Sequence, residues 1–199
     1  MTSESIDAYD IALLVGRSIV ASGGAYFVGG SLASSLQGEP RATNDIDIVL
    51  ELPFGAVDHF RELLGTDFEV DVSALRTALR TGTSCNVFYL PHVTKIDLFG
   101  VGPTPFDEIE FGRRQAVRVR GSEDLWVKSP EDTVLRKLLW YREGGMVSDR
   151  QWRDVVRVLA VSGSVLDGSY LDAWATRLGL VELLARARKQ RDDESRKAR

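Results

Sequence analysis

Two aspartates separated by one residue, Asp45-Ile46-Asp47, open an alternating run that continues through Ile48, Val49 and Leu50. Alternate residues of a strand share a face, so both carboxylates leave one side while Ile46, Ile48 and Leu50 leave the other. Carboxylates so placed can share divalent cations. With 17 aspartates in the chain, about one Asp-x-Asp arises by chance, and a solvated strand end gives the same pattern, so the surroundings decide. Thr94-Lys95-Ile96-Asp97-Leu98-Phe99 repeats the arrangement, with Ile96 and Leu98 on one face and Asp97 on the other. If this segment lies beside the first, about 5 Å away, three carboxylates converge, and their repulsion is relieved by cations between them. In phosphoryl-type transfer such a cluster holds two ions about 3.5–4 Å apart, and Asp97 can also take a proton from an attacking hydroxyl. Taken alone, Asp97 is equally an edge-strand acid beside Lys95.

A third element is Val28-Gly29-Gly30-Ser31. Its glycines let the backbone approach a ligand closely, a following helix turns amide N–H groups toward an anion, and Ser31 adds a hydroxyl donor. It is neither a P-loop nor a dinucleotide fingerprint, and by itself it is also a tight turn with a capping serine.

These residues need a scaffold. Residues 6–21 carry Ile11, Leu14, Val15 and Ile19 at helical spacing, stopped by Gly23-Gly24; residues 25–28 read as a strand and 31–36 as a short helix. A strand over 46–50 precedes a helix over 53–64, a strand over 68–72 and a helix over 73–80, and residues 86–90 and 93–99 form a hairpin about Pro91-His92. After a loop marked by Gly102, Pro103 and Pro105 come short strands at 116–120 and 125–128. From Ser129 the pattern turns helical: Ser129-Pro130-Glu131-Asp132 places a capping serine, a proline at the first helical position and acids in the first turn. Ser148-x-x-Gln151 repeats the logic before Trp152, Val155, Val156 and Leu159, and helices near 170–178 and 181–190 follow. The expected division is an α/β (α+β) core over 1–128, a mixed sheet flanked by helices, and a helical region over 129–199 packed on it, with 191–199 a frayed, solvated tail.

The net charge of −4 and pI near 5.3 argue against a protein that coats nucleic acid. Cys85, His59 and His92 are too few for a disulfide framework or a Cys/His zinc site, so a metal here takes oxygen ligands. With no apolar run long enough for a span and an acidic, polar start, the expectation is a cytoplasmic protein with no membrane partner.

In order and spacing, Gly30-Ser31, Asp45-Ile46-Asp47 and Asp97 resemble the signature of the nucleotidyltransferase superfamily related to DNA polymerase beta. More closely, the chain is similar to stand-alone bacterial nucleotidyltransferase-like proteins grouped near the AbiEii-type toxins. That likeness rests on Gly29-Gly30-Ser31-Leu32-Ala33-Ser34, Arg41-Ala42-Thr43-Asn44-Asp45-Ile46-Asp47, Ser129-Pro130-Glu131-Asp132 with Lys137-Leu138, and Arg142-Glu143-Gly144-Gly145 through Asp154-Val155. The resemblance implies a nucleotidyltransferase-like fold and transfer of a nucleoside monophosphate from a nucleoside triphosphate to a hydroxyl, with release of pyrophosphate. It implies Mg2+ (or Mn2+) on Asp45, Asp47 and Asp97, the triphosphate on Gly29, Gly30 and Ser31, and nucleotide phosphates on Lys137.

Several of these residues admit plainer readings. Arg41 and Thr43 precede the acids, where Arg41 could clamp a triphosphate or merely decorate a loop. Lys137 is otherwise a solvated cation beside Arg136, and Asp154, opposite Trp152 and Leu159 on its helix, a surface partner of Arg150 or Arg157. Trp140 and Tyr141 offer a stacking face or fill a core, and Asp67, Glu69 and Asp71 read as the wet face of an edge strand. Arg113, Arg114, Arg118 and Arg120 could face an RNA acceptor or solvate a hairpin. The acceptor, whether RNA, protein or small molecule, stays open. The alternative function is a non-catalytic nucleotide-binding module or a toxin–antitoxin component with an antitoxin-like protein partner.

Overall fold

The computed structural model describes residues 6–40, 45–119 and 123–197. Its helices are α1 (Ala8–Ala21), α2 (Gly30–Gln37), α3 (Val57–Leu64), α4 (Val72–Thr81), α5 (Pro105–Gly112), α6 (Pro130–Glu143), α7 (Asp149–Val161), α8 (Gly168–Leu178) and α9 (Val181–Lys197). Its strands are β1 (Ala25–Val28), β2 (Asp45–Glu51), β3 (Phe68–Val70), β4 (Ser84–Tyr89), β5 (Thr94–Gly100), β6 (Gln115–Val119) and β7 (Glu123–Val127). Two compact units result: Met1–Leu32 with Ala42–Lys128, and Ala33–Arg41 with Ser129–Arg199. The second unit also takes the later part of α2.

In the first unit the strands form one mixed sheet in the order β3-β4-β5-β2-β1-β7-β6. β2 runs parallel to β5 and β1 parallel to β7, while the remaining neighbours are antiparallel. The apolar alternation decides which face is covered. Ile46, Ile48 and Leu50 of β2, Ile96 and Leu98 of β5 and Val87 of β4 are fully buried on the side of α1, α3 and α4; each such side chain contributes about 1.5–3 kcal/mol on leaving water. Cys85 lies in the same layer, and burial, with the Asp71 and Asp97 carboxylates adding, pushes its thiol up to about 11.

Local chemistry sets the ends of these elements. Asp7 caps α1, accepting from the N–H groups of Tyr9 and Asp10, while Asp10 accepts from the Asp7 N–H. Asp71, expected on the wet face of an edge strand, accepts from Ser73 and Ala74 and so caps α4. Helix α5 lies where the sequence suggested only a loop: Thr104 and Asp107 form a capping box around Pro105, a signal hidden by the neighbouring prolines.

In the second unit the Ser129-Pro130-Glu131-Asp132 turn opens α6. Ser129 Oγ accepts from the Asp132 N–H at 3.2 Å and donates to Asp132 Oδ2 at 2.6 Å. The Tyr170 hydroxyl donates to Asp132 Oδ1, and the Asp167 N–H donates to Glu131, so one turn anchors the start of α8 as well. Helix α9 continues to Lys197, through most of the stretch expected to fray; Arg157 reaches Glu194, and Gln190 bonds Glu194 one turn on, which supports the polar extension. No helix among the described residues is long and apolar enough to cross a membrane.

Gly100, at the end of β5, leaves no room for a side chain: an added Cβ would stand 2.3 Å from the Ala78 carbonyl oxygen of α4. Gly100→Ala is expected to lower stability by about 1–3 kcal/mol, read as a reduced urea midpoint at unchanged slope.

Candidate active site

The parallel pairing of β2 with β5 sets Asp47 opposite Asp97 and Asp45 opposite Lys95. Neighbouring strands stand about 4.8 Å apart, so the three acids that the sequence singled out share one face at one end of the sheet. Asp45 is exposed, whereas Asp47 and Asp97 are half-buried. On the far side of Asp97 the β4–β5 hairpin brings Asn86 into register, completing a row Asn86, Asp97, Asp47. Asn86 was not among the sequence candidates, although a hairpin about Pro91-His92 already places residue 86 opposite residue 97.

Lys95 Nζ holds Asp97 Oδ2 at 2.8 Å. The hydrogen bond it donates to Asp97, then the charges of Asp97, Asp45 and Asp47, raise the Lys95 ammonium above its ordinary range. One cation thus feels the field of all three acids. Among the described residues no group of three or more His, Cys, Asp or Glu side chains is placed so that it could hold a metal ion as it stands. By type alone the donors suit a hard divalent cation, since they are all oxygen. The ammonium of Lys95 is the positive charge found beside them.

The glycine turn closes against these acids. The Gly29 N–H donates to the Asp47 carbonyl at 2.9 Å. Gly30 opens α2 at φ +53°, and a Cβ there would fall 1.7 Å from Asp47 Oδ2. Only a residue without a side chain fits both the left-handed backbone and the carboxylate beside it. Ser31 follows in the first turn of α2. Gly29, Gly30, Ser31, Asp45, Asp47 and Asp97 therefore assemble within the first unit.

Arg41 and Thr43 lie outside the described residues, as does Arg120. Lys137 belongs to the second unit and is not a solvated cation: it is 3% exposed. Its ammonium bonds Asp154 Oδ2 at 2.8 Å and Gln151 Oε1 at 3.1 Å. Asp154, expected at the surface, is buried and also accepts from Ser34 Oγ at 3.2 Å. The reason is that α7 is covered by both α6 and α9, so a second face of the helix is enclosed. Arg157 pairs with Glu39 and Glu194 instead. Tyr141 packs on Trp152 in the core, while Trp140 stays partly exposed. Arg118 pairs with Asp124 across the β6–β7 hairpin and Arg114 lies over Phe111 and Trp126, so these two arginines serve the hairpin.

No protein-family model and no curated protein matches the chain. Among solved structures it is similar to an antigenic nucleotidyltransferase-like protein from Paracoccidioides brasiliensis, at 17% identity and a TM-score of 0.62 over 96% of this chain and 92% of that one. It is also similar to ANT(2'')-Ia, solved in complex with adenylyl-2''-tobramycin, at 12% identity and a TM-score of 0.54 over 84% of this chain and 94% of that one. The fold is thus nucleotidyltransferase-like: a mixed sheet flanked by helices, with further helices at the C-terminal end of the chain.

Two variants test this geometry. Gly30→Ala is expected to cost about 1–3 kcal/mol in chemical denaturation and to displace Asp47. Asp154→Asn deprives buried Lys137 of its anionic partner and is expected to cost about 3–5 kcal/mol, a fall in the urea midpoint that Lys137→Met combined with Asp154→Leu largely restores.

Proposed function

We propose that this chain is a metal-dependent nucleotidyltransferase that moves a nucleoside monophosphate from a nucleoside triphosphate to a hydroxyl acceptor and releases pyrophosphate. The observation that carries the reading is the register of Asp47 against Asp97, with Asp45 on the same face and the Gly30 backbone packed on the Asp47 carboxylate. Asp45, Asp47 and Asp97 would hold Mg2+ or Mn2+. When bound, these ions supply charge neutralisation for the triphosphate and for the departing pyrophosphate.

The chain's own residues do the rest. Gly29, Gly30 and Ser31 bind phosphate oxygens through main-chain N–H groups and the Ser31 hydroxyl. Asp97 takes the proton of the acceptor hydroxyl as its oxygen bonds to the α-phosphorus and the bond to the pyrophosphate oxygen breaks. Lys95 must release Asp97 for this step. Asn86, in register beside Asp97, can orient the acceptor through its side-chain amide. The finer likeness to AbiEii-type proteins, and with it an antitoxin-like partner, rests on the sequence motifs.

The Lys95–Asp97 ion pair also favours a second reading. If that pair persists when nucleotide binds, Asp97 is quenched as a base and the chain is a nucleotide-binding module that transfers nothing.

The test incubates the protein with each of the four nucleoside triphosphates, labelled at the α-phosphate, with magnesium or manganese and a cell extract. Wild type is expected to label RNA, protein or a small molecule, and the labelled fraction names the acceptor class. Asp45→Ala and Asp47→Ala are each expected to lower transfer by about a thousandfold or more with the fold intact by circular dichroism. Wild-type turnover in either variant overturns the mechanism, and nucleotide binding by calorimetry without transfer selects the second reading.

A further inference from the structure

Lys128 immediately follows β7, and its side chain is only 4% exposed. Val28 pairs with both Ile48 and Val127. By strand alternation Lys128 therefore leaves the sheet on the other face, the face of Phe27, Asp47 and Asp97. There its ammonium meets Glu110 of α5 at 2.7 Å, a carboxylate 5% exposed, and stands 5.2 Å from the centre of the Phe27 ring.

Both the main chain and the side chain of Lys128 reach the glycine turn. Its N–H donates to the Val28 carbonyl at 3.0 Å, and a Cβ on Gly29 would lie 3.7 Å from its Nζ. The turn Val28-Gly29-Gly30-Ser31 carries no cationic side chain of its own. A buried Lys–Glu pair pays a desolvation cost that two apolar side chains of similar volume avoid. Placed against a turn that must receive a polyanion, the pair has a use beyond packing, because a charge in a low-dielectric setting acts strongly over a few ångströms.

We propose that Lys128 is a positioning residue for the triphosphate: from behind the Gly29-Gly30-Ser31 turn its ammonium fixes the main-chain donors and supplies the turn's missing positive charge, while Glu110 holds the ammonium in place. The inference rests on the nucleotide-binding reading and deepens it by assigning a residue to the polyphosphate. Glu110 partly neutralises the charge it holds, so the two partners act on phosphate with opposite sign, whereas a merely structural pair loses the same packing whichever partner is removed.

The experiment measures calorimetric affinity for magnesium tripolyphosphate and for the four magnesium nucleoside triphosphates, with melting temperature alongside. In Lys128→Met combined with Glu110→Leu the pair becomes apolar and the melting temperature is expected to stay near wild type, while affinity for tripolyphosphate and triphosphates falls about tenfold or more. Lys128→Arg is expected to retain affinity, and Glu110→Gln to bind at least as tightly as wild type. If the double variant does not fold, the sign of the Glu110→Gln effect decides. Wild-type affinity in the double variant, or a loss in Glu110→Gln as large as in Lys128→Met, overturns this inference alone. A wild-type protein that binds none of these probes overturns the nucleotide reading and this inference with it.

Discussion

Like charges held side by side constrain everything around them. Register fixes Asp47 and Asp97 on adjacent strands, about 4.8 Å apart along the sheet, where two carboxylates repel by a few kcal/mol at the effective dielectric of a protein surface. A sheet tolerates such a pair only if a positive charge or a hydrogen-bond donor is within reach. Lys95 is that charge here, with Gly29 and Gly30 bringing main chain up to Asp47 on the other flank. The apolar side of the same strands supplies the countervailing free energy. Ile46, Ile48, Ile96 and Leu98 are fully buried beneath the acids, so the register cannot slip by one residue without turning the core outward.

The second unit solves a similar problem by enclosure. Lys137 and Asp154 leave water together, joined by Ser34 and Gln151, and Asp132 gathers Ser129 and Tyr170 about a fully buried carboxylate. Polar groups placed this deeply specify which helix faces meet, because a shifted packing would strand a charge without its partner.

Much of this was legible in the residues. Alternation assigned β2 and β5 and placed Asp45, Asp47 and Asp97 on the polar face, and the capping signals at Ser129 and Ser148 opened α6 and α7. Less legible was whatever depends on a second element. Asp154 reads as exposed from its own helical angle, and only the covering of α7 on two sides buries it. Glu110 sits in a helix concealed by the prolines around Thr104. Lys128 looks like the end of a strand until the pairing of Val28 with Val127 shows which face it takes. Asn86 was within reach of simple arithmetic on the hairpin, but an amide draws less attention than an acid.

Cys85 is the chain's only cysteine, buried and shifted so far upward that almost none of it ionises near neutrality. Thiolate is the form that attacks disulfides and is oxidised by peroxide. In the folded protein this thiol is therefore out of reach, and thiol reagents have to wait for the chain to open around it. A cysteine introduced at an exposed position can consequently be labelled selectively without removing the native one.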